Sequence, residues 1–513
     1  MLIPKVRLIG SRNCWAHDVE AINSNEISPL RTAYSLHPPF EKYLMSRYLD
    51  HKIRAPLANL RKMRVHFTAI GGSAMHNLAI ALHRKGYRVT GSDDEIVDPS
   101  KSRLQKEGIL PAHIGWDENN IHEDLDAVIL GMHARIDNPE LLKAKALNLP
   151  VFSYPEYLYE QTKNKTRVVI GGSHGKTTIT SMILHVLNIC HFDHDYMVGA
   201  QLDGFDCMVK LSDDAKVAIF EGDEYLSSPI DRRPKFHLYF PNIALLSGIA
   251  WDHINVFPTF ENYVDQFRIF ISLIEQNGVL TYSAEDPALL ELAKEVRADI
   301  KLLPYSTHPH RNNDGIIHLI TNEGEVPVKI FGSHNLQNLS GALEVCRSLG
   351  ISDSDFYSSI SDFSGASRRM EKIAEHGSFA AYRDFAHSPS KLKATVKALK
   401  EKDPNHFLTA CFELHTFSSL NKTFLDQYKD SMVDADRAIV FYSPDTIAHK
   451  KLPEISMEDV LNAFNRADIE VYTSSSDLEK ALAKVGSVKS NLLLMSSGNF
   501  HGMNVVELMK NII

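Results

Sequence analysis

Short runs of apolar residues, many of them β-branched, alternate with longer stretches of helical periodicity from about residue 63 to the C-terminus. Such runs occur at residues 65–70, 168–170, 217–220 and 492–495. Strands that alternate with helices are typical of largely parallel sheets covered by helices. The pattern therefore predicts an α/β fold.

The order of these elements divides the chain into four segments. Residues 1–62 lack sustained periodicity and are interpreted as an N-terminal extension of unknown role. The following segments are a Rossmann-like domain at residues 63–163, a central ATP-binding domain at residues 164–363 and a second Rossmann-like domain at residues 364–513. A length of 513 residues agrees with about three domains. For the extension, acidic residues disfavour a targeting segment, while a surface-packed extension and a true start at Met63 stay open.

Composition excludes several classes of protein. The chain is 44% hydrophobic with a formal net charge of −9, which indicates a soluble globular protein without a general basic face for nucleic acid. Its five cysteines lack CxxC spacing, so neither a zinc site nor a disulfide framework is indicated, and a reducing cytoplasm fits. No apolar stretch is long enough for a membrane span, and no signal peptide is visible. The oligomeric state stays open.

The strongest chemical signal is a glycine-rich loop between a predicted strand and a predicted helix. In such a loop the backbone N–H groups surround a polyphosphate, Lys176 reaches the outer phosphates and Thr177 binds Mg²⁺. The loop is one residue shorter than the usual pattern, because three residues separate Gly171 from Gly175. A chance glycine turn is the alternative. The residues expected around ATP are Gly172, Ser173, His174, Gly175, Lys176, Thr177 and Thr178.

Polar residues follow two further predicted strands of the central domain. Glu221, Asp223 and Glu224 end the strand that begins at Val217, and His253 follows the strand at residues 243–249. Ligands gather at the carboxyl edge of a parallel sheet, and hard oxygen ligands suit Mg²⁺. These side chains are therefore candidates for binding metal or phosphate beside the loop, although a lone histidine is most often structural.

A second glycine turn lies near residue 70. Gly71, Gly72 and Ser73 follow the first strand of the N-terminal Rossmann-like domain, and Asp93 lies about twenty residues further on. This layout is typical of a nucleotide-binding βαβ unit, but it lacks the GxGxxG pattern. Tight packing of helix on sheet is the alternative interpretation.

Together, these motifs resemble those of the Mur ligase family, whose members are cytoplasmic ATP-dependent enzymes that join amino acids or peptides to UDP-N-acetylmuramate. The resemblance extends from about Met63 to the C-terminus in the family's order. Its motifs after the phosphate loop lie at residues 221–225, 251–253, 333–335, 367–371, 384–387 and 496–498.

The resemblance implies roles for individual residues. Lys176, Glu221 and His253 are expected to be catalytic, with Thr177, Glu221 and His253 around Mg²⁺. The glycine turn at Gly71, Gly72 and Ser73 is expected to bind the pyrophosphate of the UDP-sugar. The remaining expected ligand contacts are His334 and Asn335 at the adenine, Arg369 at the phosphates, Asp384 at the ribose or linker, and His387 in the cleft. For His387 a capping or packing role is the alternative. The choice between Arg368 and Arg369 stays open, and no carboxylated lysine is assigned.

Within the family, three segments resemble the branch that attaches the tripeptide L-Ala-γ-D-Glu-meso-diaminopimelate to UDP-N-acetylmuramate during peptidoglycan recycling. They are residues 221–237, residues 384–387 and residues 414–419, the last of which lack the arginine usual in the L-alanine-adding branch. The expected reaction is amide formation through an acyl phosphate. Addition of L-alanine is the main alternative, a non-catalytic nucleotide-binding regulator is another, and the polyglutamate-type branch lacks the N-terminal unit seen here.

Overall fold

The computed structural model describes residues 62–513, apart from positions 203, 314, 366–368, 486–488 and 513. Residues 62–513 form one compact unit. The expected extension at residues 1–62 lies outside the described residues except for Lys62, and so does Arg368. Within the described part, no helix is both long and apolar enough to cross a membrane.

The first sheet is entirely parallel and carries the predicted glycine turn. Its strands are β1 (Arg64–Thr68), β2 (Arg88–Ser92), β3 (Ala127–Leu130) and β4 (Val151–Ser153). Its helices are α1 (Ser73–Arg84), α2 (Ser100–Lys106), α3 (Pro139–Ala146) and α4 (Tyr154–Thr162). The strand order is β2-β1-β3-β4. β1 is central and almost fully buried; Val65 and Phe67 supply apolar packing, while the buried His66 and Thr68 are hydrogen-bonded to Glu140.

The central sheet carries the phosphate loop. Its strands are β5 (Thr166–Gly171), β6 (Asp195–Met197), β7 (Val209–Lys210), β8 (Val217–Glu221), β9 (Ile243–Leu246), β10 (Val279–Ser283) and β11 (Lys301–Tyr305). They lie in the order β11-β10-β9-β5-β8-β6-β7, with β7 antiparallel to β6 and the other neighbours parallel. The helices of this part are α5 (Lys176–Ile189), α6 (Phe260–Ser272), α7 (Pro287–Ala293), α8 (Ser333–Ser348) and α9 (Asp353–Ile360).

A small antiparallel sheet of β12 (His310–Asn313), β13 (Ile316–Thr321) and β14 (Gly324–Val328) follows the central sheet. The sequence pattern did not predict this sheet. Its first strand is exposed throughout and polar, so the apolar periodicity used for the other strands is absent there.

The last sheet consists of β15 (Glu371–His376), β16 (Phe379–Asp384), β17 (Phe407–Leu414), β18 (Arg437–Tyr442), β19 (Glu470–Tyr472) and β20 (Ser490–Met495). Their order is β15-β16-β20-β17-β18-β19, with β15 antiparallel to β16 and the other neighbours parallel. Its helices are α10 (Pro389–Lys402), α11 (Lys422–Leu425), α12 (Pro444–His449), α13 (Met457–Phe464), α14 (Ser475–Leu482) and α15 (Val505–Ile512). The expected α/β fold class is confirmed, whereas the exact domain bounds stay a prediction.

The topology places the candidate chemistry at one edge of the central sheet. β5 lies between β8 and β9, with Ile170 paired to Glu221 and Gly171 paired to Leu246. Since these strands are parallel, the loops after all three leave the same edge. The phosphate loop, the carboxylates and the segment with His253 therefore meet there.

Candidate functional site

The phosphate loop has the backbone conformation that its glycines allow. Gly172 has φ +122° and Gly175 has φ +71°, both in the left-handed half of the Ramachandran plot. A Cβ atom on Gly175 would collide with the side chain of Asn338 on α8. Ser173 fixes the loop to neighbouring segments, because its Oγ lies 2.9 Å from the Tyr263 hydroxyl and accepts a hydrogen bond from Ala250 N at 2.9 Å. α5 then starts at Lys176 and directs its N-terminus into the loop.

Lys176 lies beside a buried carboxylate. Its Nζ donates to Glu224 Oε2 and to the carbonyl of Gly172, both at 2.6 Å. Burial acts to lower the pKa of Lys176, but Glu224 and Asp223 outweigh burial and hold the pKa above its usual value. Lys176 is therefore a fixed cation. The sequence pattern placed Glu224 among the carboxylates beside the loop but indicated no separate role for it.

Two of the three expected Mg²⁺ ligands are in contact. Thr177 Oγ1 donates to Glu221 Oε1 at 2.8 Å, and the N–H of Gly199 donates to Glu221 Oε2 at 3.0 Å. His253 faces a different carboxylate, with its Nε2 3.7 Å from Glu224 Oε1. Mg²⁺ commonly uses one or two carboxylates together with substrate phosphates, so the hydroxyl and carboxylate at the start of α5 fit that ion. Among the described residues, no cluster of three or more His, Cys, Asp or Glu forms a self-sufficient metal site.

His334 and Asn335 lie in the first turn of α8, close to the phosphate loop. Asn335 Nδ2 donates to the carbonyl of Phe331 at 3.0 Å, and Asn338, whose side chain borders Gly175, lies 3.5 Å from Asn335 Oδ1. Burial lowers the pKa of His334. The first turn of α8 is thus next to the loop, as the expected contact with the nucleotide base requires, and the adenine role stays a prediction.

Asp384 uses its carboxylate to fix the backbone around it. Oδ1 accepts from Ala386 N at 2.7 Å and Oδ2 accepts from Met370 N at 2.8 Å. Arg369 precedes Met370, and its guanidinium lies 4.8 Å from the centre of the Phe385 ring. In this structure Asp384 therefore positions the segment that carries Arg369, and its expected ribose contact stays a prediction.

The part of the chain after β16 contacts the central sheet at the phosphate loop. Ser390 Oγ lies 2.8 Å from His174 Nε2, and burial lowers the pKa of His174 to about 3, so this ring is neutral at pH 7. His387 Nε2 lies 3.7 Å from Asp252 Oδ2, and Ser418 Oγ donates to Asp252 Oδ1 at 3.3 Å. These contacts hold His387 at the junction between the two parts, and its expected place in the cleft stays a prediction.

Lys391 also lies at this junction, although the sequence analysis did not select it. Its Nζ is 3.4 Å from His387 Nε2. Burial lowers the pKa of Lys391 to about 8, with Asp252 opposing that shift and Lys176 and Arg369 adding to it. Its position in the first turn of the helix after residues 384–388 was a usable signal, because a basic residue there is electrostatically unfavourable without an anion.

The glycine turn of the first sheet joins β1 to α1. The N–H of Gly71 donates to Asp93 Oδ2 at 2.7 Å, and Gly72 precedes the first turn of α1, where Ser73 is exposed. Burial is the main cause that raises the pKa of Asp93 to about 6. A cavity of about 340 Å³ opens beside the loop after Asp93 and is lined by residues 94–97, 101 and 110–114. The expected UDP-sugar contacts stay a prediction.

The loops that follow β17 and β20 meet at Glu413. Glu413 accepts hydrogen bonds from Ser496 Oγ and from Phe500 N, the latter at 2.8 Å, and His415 Nδ1 lies 3.7 Å from its other oxygen. Gly498 packs against the His415 ring so closely that a Cβ there would lie 2.7 Å from Nδ1. Residues 414–419, which are expected to set the acceptor specificity, therefore pack against the last family motif at residues 496–498.

Comparison with known proteins gives consistent matches. The sequence matches the family description "Mur ligase family, catalytic domain" over residues 64–166 and "Mur ligase middle domain" over residues 170–346. It is 30% identical over 475 residues to a UDP-N-acetylmuramate–L-alanine ligase of Carboxydothermus hydrogenoformans, which covers 89% of this chain and 97% of that relative.

Two solved structures share the fold. A UDP-N-acetylmuramate-alanine ligase from Thermotoga maritima has a TM-score of 0.64 and 20% identity, with 88% of this chain and 98% of that one covered. A murein peptide ligase from Psychrobacter arcticus has a TM-score of 0.61 and 22% identity, with 88% and 99% covered. At this identity both show the fold alone.

Proposed function

Because this chain belongs to the Mur ligase family, we propose that it uses ATP to join the carboxylate of UDP-N-acetylmuramate to the amino group of L-alanine. The enzyme class expected from the sequence, an ATP-dependent carbon–nitrogen ligase, is confirmed by that membership. The acceptor departs from the tripeptide expected above. The reason is that the relative similar over 89% of this chain is named an L-alanine ligase.

The observation that carries the proposal is the grouping of Lys176, Thr177 and Glu221 at the N-terminus of α5. The backbone N–H groups of the loop and the charge of Lys176 would bind the polyphosphate of ATP. Thr177 and Glu221 would hold Mg²⁺, which when bound neutralises phosphate charge. All of these groups favour transfer of the γ-phosphoryl group by positioning it and by balancing its charge.

The reaction then needs no nucleophilic side chain. The carboxylate of the sugar nucleotide attacks the γ-phosphorus of ATP, which forms an acyl phosphate and releases ADP. The acceptor amine attacks the acyl carbon, inorganic phosphate leaves, and the amine loses a proton as the amide forms. The junction at His174, Asp252 and His387 lies next to the phosphate loop, where this chemistry would take place.

The tripeptide is the second candidate acceptor, and a specific observation favours it. Residues 414–419 lack the arginine expected of an L-alanine site, and they carry Thr416, Ser418 and Ser419 instead. Thr416 Oγ1 donates to Ser419 Oγ at 3.0 Å, so part of this polar surface is internally bonded. A site that pairs with the extra carboxylates of a tripeptide would discriminate strongly against a short acceptor.

The test measures ADP release and the mass of the product with UDP-N-acetylmuramate, ATP and Mg²⁺, offering L-alanine and the tripeptide in parallel to the full chain. A higher kcat/KM for L-alanine supports the proposal, and a higher value for the tripeptide selects the second candidate. ADP release that does not depend on UDP-N-acetylmuramate with either acceptor would overturn both. ATP binding without ADP release would also overturn both, and it would favour a non-catalytic nucleotide-binding regulator.

A further inference from the structure

A lysine of α10 lies close to the phosphate loop. Lys391 lies in the first turn of α10, next to Ser390, which contacts His174 of the loop at 2.8 Å. Its Nζ is 3.4 Å from His387 Nε2, and the charges that act on it most are those of Asp252, Lys176, Arg369 and Glu224. Lys391 therefore faces the same region as Lys176.

The carboxylates whose charges act on Lys391 are Asp252 and Glu224. Glu224 is already paired with Lys176 at 2.6 Å. Asp252 already accepts from Ser418 and lies 3.7 Å from His387. The N-terminus of a helix also carries partial positive charge, so a lysine in the first turn of α10 is unfavourable unless an anion is bound there. Both carboxylates therefore have partners other than Lys391.

We propose that Lys391 binds the outer phosphates of the nucleotide together with Lys176. One polyanion would then contact the N-terminus of α5 and the first turn of α10 together. This inference rests on the proposed function, because it assumes that ATP is bound at the phosphate loop. A cation that closes onto a polyphosphate from a second part of the chain both aligns the γ-phosphoryl group and excludes water from it.

The competing explanation is that Lys391 only neutralises Asp252 and holds His387 in place. The two explanations differ in what the loss of the charge changes. A lysine that binds phosphate contributes to the apparent affinity for ATP, whereas a lysine that neutralises Asp252 contributes to stability and leaves the KM for ATP unchanged.

The experiment compares Lys391→Met with Lys391→Arg in the full chain. Lys393→Met is the matched control, because Lys393 is an exposed lysine on the same helix. Initial rates of ADP release give kcat and the KM for ATP, for UDP-N-acetylmuramate and for the acceptor. Binding of a non-hydrolysable ATP analogue is measured by calorimetry, and thermal unfolding shows whether each variant is folded.

We expect Lys391→Met to lower kcat/KM for ATP and the affinity for the analogue by about tenfold or more, the size of a lost hydrogen bond to a charged group. Lys391→Arg should recover most of this loss, and Lys393→Met should match the wild type. A folded Lys391→Met protein with wild-type KM for ATP and wild-type analogue binding would overturn the proposal, and so would a change confined to the acceptor KM.

Failure of this inference is distinguishable from failure of the proposed function. If the wild-type chain forms product and Lys391→Met does so with the same ATP parameters, only the role of Lys391 is wrong. If the wild-type chain forms no product with either acceptor, the proposed function is wrong. Analogue binding by calorimetry still tests Lys391 in that case, because it needs no turnover.

Discussion

Removal of the charge on Lys176 should cost both activity and stability, for separate reasons. Lys176 donates to Glu224 at 2.6 Å, and the Glu224 side chain is only 3% exposed. In a Lys176→Met protein, Glu224 keeps the Tyr263 hydroxyl at 3.0 Å and His253 at 3.7 Å, but it loses its fixed cation. Removing one partner of a buried ion pair leaves the other charge uncompensated and lowers the free energy of unfolding by about 3 kcal/mol.

The catalytic loss is of similar size but has a different origin. A cation aimed at the transferring phosphoryl group is worth about 3 kcal/mol, which corresponds to about a hundredfold in rate. The double variant Lys176→Met/Glu224→Gln removes the unpaired carboxylate, so we expect it to regain most of the lost stability and none of the lost activity. The double variant therefore separates the loss of stability from the loss of activity.

The assay combines urea unfolding, followed by circular dichroism, with ADP release at saturating substrates. Lys294→Met serves as the control because it removes an exposed ion pair with Glu291, which is worth at most about 1 kcal/mol. A Lys176→Met protein as stable as the wild type would refute the role of the buried pair. A double variant that recovers turnover would refute the assignment of Lys176 to the phosphates.

Three further outcomes are expected. Glu221→Gln should raise the Mg²⁺ concentration needed for half-maximal rate without changing the KM for UDP-N-acetylmuramate, because Glu221 contacts Thr177 and Gly199. An unchanged Mg²⁺ titration would contradict the role of Glu221 as a Mg²⁺ ligand. Gly71→Ala should raise the KM for UDP-N-acetylmuramate about tenfold and leave that for ATP unchanged, since the new Cβ would lie 2.9 Å from an oxygen of Asp93. His237 is buried, and burial lowers its pKa to about 4, below the 6.5 of an unfolded histidine. Its contribution to the free energy of unfolding is therefore complete above pH 6.5 and is lost as the pH falls toward 4, by about 3 kcal/mol in total. His237→Gln should flatten this pH dependence of urea unfolding, and an unaltered slope would show that other groups cause it.

The sequence by itself determined the α/β class and the phosphate loop. Both depend on local patterns: apolar strands that alternate with helices, and glycines followed by a lysine and threonines at the start of α5. It also indicated that Thr177 and Glu221 would meet, because parallel strands direct their carboxyl ends to one edge. It missed β12, whose polar and exposed residues carry no apolar periodicity.

Tertiary structure alone decided how the charged groups pair. Lys176 donates to Glu224, which is 48 residues away in the sequence. His253 also lies next to Glu224. Ser390 reaches His174 across 216 residues and brings Lys391 toward the phosphate loop. Local periodicity fixes which residues form a strand or a helix, but the partner of a side chain depends on strand order and on which loops share an edge. Those features follow from the packing of the whole chain, and they decide which cation faces which anion at this site.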